Sequence, residues 1–237
     1  MKKILIALTA AVGISTAAQA QVSTNIGATT DYRFRGVSQT QNSLAVQGGV
    51  DLDLKNGFYV GNWNSSVSTE VYTGGAGVEV DLYAGYKRKF GDFTVDVGSY
   101  NYFYPRASAA GNSFTTNELY AGVSRGPVTV KVSQSVSDYF GIQNSRGSRY
   151  WSADLAQPLL AGLVGLAHIG RTDVANHTAL NYTDINLGLA YDIKGWTLAG
   201  RWYVNSNRGA QFTGFTTVDG QRLGKGSVGL TLAKTFN

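Results

Sequence analysis

Residues 78–104 read VEVDLYAGYKRKFGDFTVDVGSYNYFY, and the rest of the chain follows the pattern set there. In the first arm Val78, Val80, Leu82, Ala84 and Tyr86 share one face, while Glu79, Asp81, Tyr83, Gly85 and Lys87 share the other. A period of two is a strand with one apolar and one polar side. Gly91-Asp92 reverses the chain, because glycine takes up the positive φ of a tight turn and aspartate tolerates it. The second arm alternates again, Phe93, Val95 and Val97 against Thr94, Asp96, Gly98, Tyr100 and Tyr102. Each arm is about as long as the ~9–11 residues that cross a bilayer at a tilt.

The unit recurs. Val22, Ile26, Ala28, Tyr32 and Phe34 oppose Asn25, Thr29, Asp31, Arg33 and Arg35, and Leu44, Val46, Val50, Leu52 and Leu54 oppose Gln47, Asp51 and Asp53. The segment 58–66, FYVGNWNSS, reads with Tyr59, Gly61 and Trp63 outward and Asn62 and Asn64 inward. Further on, Leu119, Ala121 and Val123 face away from Glu118 and Tyr120, Val128, Val130 and Val132 from Thr129, Lys131 and Ser133, and Trp151 and Leu155 from Ser152 and Asp154. LVGLAHIG (163–170) is a further strand. Ile185, Leu187 and Leu189 then oppose Asp184, Asn186 and Asp192; Trp196, Leu198 and Trp202 oppose Arg201 and Tyr203; and Val228, Leu230, Leu232 and Phe236 finish the chain.

Connections are short at 55–57, 91–92, 125–127, 157–162 and 193–195, and longer at the six other places. The three prolines, Pro105, Pro127 and Pro158, all fall in connections, as a ladder that needs every N–H requires. Five tight turns and six long loops join twelve strands: an all-β, antiparallel up-and-down transmembrane barrel, with turns in the periplasm and loops outside.

Met1 to Ala20 reads as a secretory leader, with Lys2 and Lys3, an apolar centre and the small-x-small site Ala18-Gln19-Ala20. The expected organisation is a leader over 1–20, cleaved near Ala20, and one barrel domain over 21–237, destined for the bacterial outer membrane. Loss of Lys2 and Lys3 lowers the formal charge from +5 to +3, too small an excess for nucleic-acid binding. The absence of cysteine excludes disulfides and thiolate metal sites. A charged fraction of 15%, against about 25% in soluble domains, with 30 Gly and 14 Tyr, suits a wall between lipid and water.

Alternation alone does not say which face is inside, but about twelve strands enclose too much space for an apolar filling. The apolar face therefore points to lipid. Tyr86, Phe90, Phe93, Tyr191, Trp196 and Phe236 then form an aromatic belt near the turns, and Phe34, Trp63, Phe103, Trp151 and Trp202 one near the loops. Arg88 and Lys234, the charges on the apolar parity, lie near the turn end, where they reach headgroups.

The expected pore lining is Asp31, Arg33, Arg35, Asp51, Asp53, Glu79, Asp81, Asp96, Tyr100, Tyr102, Glu118, Lys131, Asp154, Asp184, Arg201 and Tyr203. Acids outnumber bases in it, which favours cations. The pairs Asp51-x-Asp53 and Glu79-x-Asp81 could hold a hard cation, but such pairs are common on polar faces, and neither a metal nor another cofactor is expected. His168, on the inward parity, is on the wrong side for the outward Ser, His and amide of a lipid-cleaving barrel, and with the loop residue His177 it reads as structural. Arg106, Arg146, Arg149, Arg208 and Arg222 in the loops fit contact with lipopolysaccharide phosphates.

The stretches DYRFRGVSQT (31–40), GFYVGNWNSSV (57–67), DLYAGYK (81–87), DVGSYNYFYP (96–105) and NELYAGVS (117–124) resemble those of the TorF-type porins of Gram-negative bacteria. The resemblance implies an outer-membrane barrel with passive transport and carries no substrate with it. The last strand, SVGLTLAKTFN (227–237), is similar to the signal read by the barrel-assembly machinery, though it ends in Asn237 rather than an aromatic residue. The expected function is passive diffusion of small hydrophilic solutes. The alternatives are a plugged structural or lipid-sensing barrel and a lipid-modifying enzyme.

Overall fold

The computed structural model describes residues 20–206 and 222–237; the expected leader up to Gln19, and Arg208, lie outside them. Among the described residues, twelve strands close into one antiparallel barrel. They are β1 (Gln21–Thr29), β2 (Ala45–Asp53), β3 (Phe58–Ser66), β4 (Val78–Phe90), β5 (Phe93–Phe103) and β6 (Thr116–Arg125). Then follow β7 (Val128–Ser135), β8 (Arg149–Pro158), β9 (Leu163–Asp173), β10 (Tyr182–Ile193), β11 (Trp196–Asn205) and β12 (Ser227–Phe236). Each strand pairs with its sequence neighbours, and β1 closes the cylinder on β12, with Asn25 opposite Thr235. Closure leaves no free edge, the condition for a sheet in hydrocarbon.

The turns form where the sequence asks for them. β4 and β5 pair down to Phe90 opposite Phe93, and Gly91 enters the reversal at φ 59°. Lys194 and Gly195 both take positive φ, 55° and 81°, which matches the twist of the strands they join.

The apolar parity faces outward. Ile26, Val46, Leu82, Leu119, Val130, Leu187 and Leu230 are all exposed on the outer wall, a belt suited to hydrocarbon rather than water. Trp151 and Trp202 project from the loop end of this belt and Phe90, Phe93, Trp196 and Phe236 from its turn end. Lys234 lies 5.6 Å from the Trp196 ring and 5.2 Å from Phe236, and Arg88 lies 5.4 Å from Phe90. These cations rest on the rings that mark the interface.

Two expectations are corrected. In β3 the parity is reversed: Tyr59, Gly61 and Trp63 face the lumen, and Asn62 and Asn64 face out. The register sets Gly61 against Tyr83, and the Tyr59 hydroxyl reaches Asp96 at 2.6 Å. The outward asparagines satisfy their amides locally, Asn62 donating to the Asp81 carbonyl (2.8 Å) and Asn64 to the Asn62 side chain (2.6 Å). The second correction concerns β1, which stops at Thr29 instead of continuing to Arg35. Residues 31–40 turn into the barrel, so Phe34, like Trp63, lies inside rather than in the outer belt.

The loop end of the lumen is packed by aromatic side chains. Tyr72 stacks on Tyr104 (4.1 Å, 10°), Phe114 meets Tyr72 edge-on at 5.1 Å, and Phe140 packs against Tyr102. With Val71 and Leu223 these form the buried apolar core, beneath the loops rather than within the wall.

Candidate functional site: the lumen beneath the first loop

The first loop carries a two-residue ribbon, Arg33–Phe34 against Val37–Ser38, reversed by Arg35 (φ 49°) and Gly36 (φ 74°). A Cβ added at Gly36 would lie 2.5 Å from Asp184 Cβ, so the tip is pressed against β10 and only glycine fits. Arg35 spends left-handed backbone strain of about 1–3 kcal/mol at the same tip, which its contacts must offset. Its guanidinium forks onto Glu118 of β6 with bonds of 2.9 and 2.7 Å. It also donates to the Tyr139 hydroxyl at 3.0 Å and lies 4.2 Å over the Tyr150 ring. Burial opposes the charge, but the Glu118 carboxylate outweighs it and holds the Arg35 pKa above its ordinary value.

The base of the loop is tied as firmly. Asp31 accepts from Arg33 Nε and Ser38 Oγ, each at 2.6 Å, and Arg33 reaches Asn42 at 2.8 Å. Tyr32 donates to Glu79 at 3.3 Å. Burial first, then the Glu79 and Asp81 carboxylates, push the Tyr32 hydroxyl pKa up, so it remains a donor. The loop is thus a bar across the lumen, fastened at both ends.

Beside the bar the wall of β3 to β6 is lined with tyrosines, of which Tyr59, Tyr83 and Tyr120 each lie on a glycine. Tyr59 sits opposite Gly85, and Tyr83 opposite Gly61, where a Cβ would come within 2.3 Å of the ring. Glycine lets the ring lie flat along the wall instead of across the channel. The Tyr83 hydroxyl donates to Asp51 at 2.6 Å, and the Tyr59 and Tyr120 hydroxyls bond each other near Asp96.

The lumen is left as separate spaces. A cavity of about 410 Å³ lies between the bar and the tyrosine wall, and one of about 280 Å³ lies on the β8 to β11 side; Phe34, Tyr102 and Lys131 border both. A vestibule of about 1040 Å³ opens at the turn end past Asp51, Asp53 and Lys87.

The smaller cavity holds an ionic cluster. His168 of β9 is clamped between Asp154 at 2.7 Å through Nδ1 and Asp184 at 3.0 Å through Nε2, with the Tyr150 hydroxyl 2.8 Å from Nε2. Asp154 and His168 are direct partners in the β8–β9 ladder.

Of the residues expected to line a pore, Asp51, Asp53, Glu79, Asp81, Asp96, Tyr100, Tyr102, Glu118, Lys131, Asp154, Asp184, Arg201 and Tyr203 project into the barrel from the wall. Asp31, Arg33 and Arg35 reach it from the loop. Glu118 with Arg35, Asp154 with Asp184, and Asp81 with Tyr100 and Tyr102 come together, while Asp53 stays apart at the turn-end rim. Tyr32, Phe34 and Trp63, expected on the outward parity, also line the lumen, and His168 joins the ionic cluster. The inward parity of His168 beside Asp154 was visible, but pairing them needed the register. No group of three or more His, Cys, Asp or Glu able to hold a metal ion gathers among the described residues.

The chain is similar to three solved structures. A chain solved in work on the in-meso crystallisation of membrane proteins is 6% identical, with 91% of this chain and 83% of that one covered at a TM-score of 0.56. The NanC porin is 12% identical over 92% of this chain and 100% of its own, TM-score 0.55. Outer membrane phospholipase A from Escherichia coli is 14% identical over 91% and 90%, TM-score 0.48. At these identities the likeness to the first two establishes the fold, that of outer-membrane barrels, and nothing finer. No curated protein matches the sequence. A family model described as "Bacterial protein of unknown function (Gcw_chp)" matches residues 14–236, and the chain belongs to that family.

Proposed function

We propose that the protein is a narrow, passive channel of the bacterial outer membrane for small hydrophilic solutes, with a weak preference for cations. One observation carries the reading: the first loop crosses the lumen and is locked to the far wall through Arg35 and Glu118, leaving cavities on both sides of it. A bar of this kind restricts a pore by size while the wall beside it selects by charge. The resemblance to TorF-type porins and the barrel fold shared with the NanC porin point the same way.

The charge preference rests on the lumen's ion pairing. Among the described residues Asp51, Asp53, Glu79 and Asp81 have no basic side chain in ion-pair range, and Lys131, Arg201 and the rim residues Lys55 and Lys89 no acidic one; the acids stay in excess because Asp154 and Asp184 share the single His168. Bond chemistry is not part of the proposal, because both ring nitrogens of His168 are engaged by carboxylates and neither is free to serve as a base. The exposed Arg106, Arg146 and Arg149 would meet lipopolysaccharide phosphates, and insertion would use the barrel-assembly machinery.

The aromatic core under the loops favours a second reading, a barrel plugged at its loop end. Planar-bilayer recording separates the two. Discrete openings, with a reversal potential in a KCl gradient on the cation side, are expected of the channel; a silent bilayer leaves the plugged barrel. Liposome swelling with a size series of sugars and amino acids then sets the cutoff.

A further inference from the structure

The cavity between the bar and the tyrosine wall is built for more than passage. Tyr83 and Tyr100 stack at 5.0 Å, and Tyr32 meets Trp63 edge-on at 5.3 Å, so aromatic rings bound much of the space. Into it projects Asp81, 1% exposed, whose Oδ1 has no hydrogen-bond partner among the described residues; Glu79 Oε2, close behind, is in the same state. A buried carboxyl whose oxygen lacks a partner is costly, and a proton or a positive group of a ligand relieves it. Aromatic faces attract cations too, most strongly where water is excluded, and they are the usual walls around organic ammonium groups. A bare metal ion would need several oxygen ligands, which rings do not supply.

The same cavity has a positive end. Lys131 borders it, forms no ion pair among the described residues, and rests 5.4 Å from the Tyr120 ring. A buried carboxyl with an unpartnered oxygen on one side of an aromatic cavity and an ammonium outside any ion pair on the other match a ligand that carries both charges. At about 410 Å³ the space is at the small end of the ~300–1,000 Å³ typical of small-molecule sites.

We propose that this cavity binds small zwitterions, with an organic ammonium among the Tyr83, Tyr100 and Trp63 rings beside Asp81 and the ligand's carboxylate at Lys131. The proposal names a solute class for the channel reading and rests on that reading for access. A neutral sugar leaves both charges as they were, and a simple cation uses only one.

Trp63 reports on the site, since Trp151, Trp196 and Trp202 face outward. The Trp151→Phe/Trp196→Phe/Trp202→Phe protein in detergent is titrated with glycine betaine, alanine, choline and sucrose, with calorimetry on the unsubstituted protein as a second readout. Saturable change with betaine or alanine and none with sucrose is expected, and whichever zwitterion binds tells a quaternary from a primary head group. Asp81→Asn should weaken that binding at least about tenfold. Lys131→Gln, at a half-open position that tolerates change, should weaken the zwitterion but not choline. No saturable response to either zwitterion, an equal response to sucrose, or zwitterion binding that Lys131→Gln leaves unchanged overturns the proposal. Entry into liposomes keeps the two readings apart: binding without entry supports the site and removes the channel, whereas conductance without binding supports the channel and removes the site.

Discussion

Arg35, at the tip of the first loop, and Glu118, on the opposite wall of the barrel, form a buried two-pronged ion pair at 2.7 and 2.9 Å. Removing one partner strands the other charge, which for buried pairs costs about 3–5 kcal/mol. The strand ladder does not depend on this contact, so the loss falls on loop docking. Glu118→Gln should leave a closed barrel with a larger, noisier single-channel conductance. A conductance identical to that of the unsubstituted protein would show that the loop is not the constriction.

The glycines beneath the tyrosines set the free width. At Gly61 a Cβ would approach the Tyr83 ring to 2.3 Å. Gly61→Leu should force that ring across the lumen, at about 1–3 kcal/mol in stability. Urea unfolding should register the loss and bilayer recording a smaller conductance; if both stay put, the ring has another place to go.

Which side meets lipid is open to a spectroscopic check. Trp151, Trp196 and Trp202 are exposed on the outer wall, while Trp63 lines the lumen. In bilayers of brominated lipid the protein's emission should be strongly quenched, and that of a variant keeping Trp63 alone should be nearly spared. Strong quenching of the Trp63-only protein would place β3 the other way round.

Depth on the outer wall should govern tolerance of charge. Leu187, midway along β10 and half exposed, is expected to lie in the hydrocarbon, so Leu187→Arg should cost about 2–4 kcal/mol in refolding into liposomes. Arg88 already sits beside Phe90 near a turn, and Leu→Arg changes at that level should cost about 0–1 kcal/mol. Equal penalties at the two depths would argue against a bilayer around this belt.

Much of the wall was legible without coordinates. Period-two alternation in VEVDLYAGYKRKF and its repeats and the short turns at 91–92 and 193–195 lead to a twelve-stranded closed barrel with valines and leucines outside, as found, whereas Pro158, expected in a connection, is the last residue of β8, opposite Val164. Where alternation is weak, the local pattern is ambiguous. FYVGNWNSS carries aromatics on one parity and asparagines on the other, and an asparagine can face outward when neighbouring backbone carbonyls accept its amide, as Asp81 does for Asn62.

The residues alone determined the strand count, the outward apolar face and the polar lining, because a strand's two faces are written locally, at every second position. The inward fold of residues 31–40 was decided only in three dimensions, since the alternation of Tyr32 to Arg35 looks like a continuing strand until Glu118, far along the chain, offers Arg35 its partner. The same holds for Asp154, His168 and Asp184, joined by register across three strands. Contacts of this kind depend on how a closed cylinder brings distant positions to one level, and no local pattern encodes that distance.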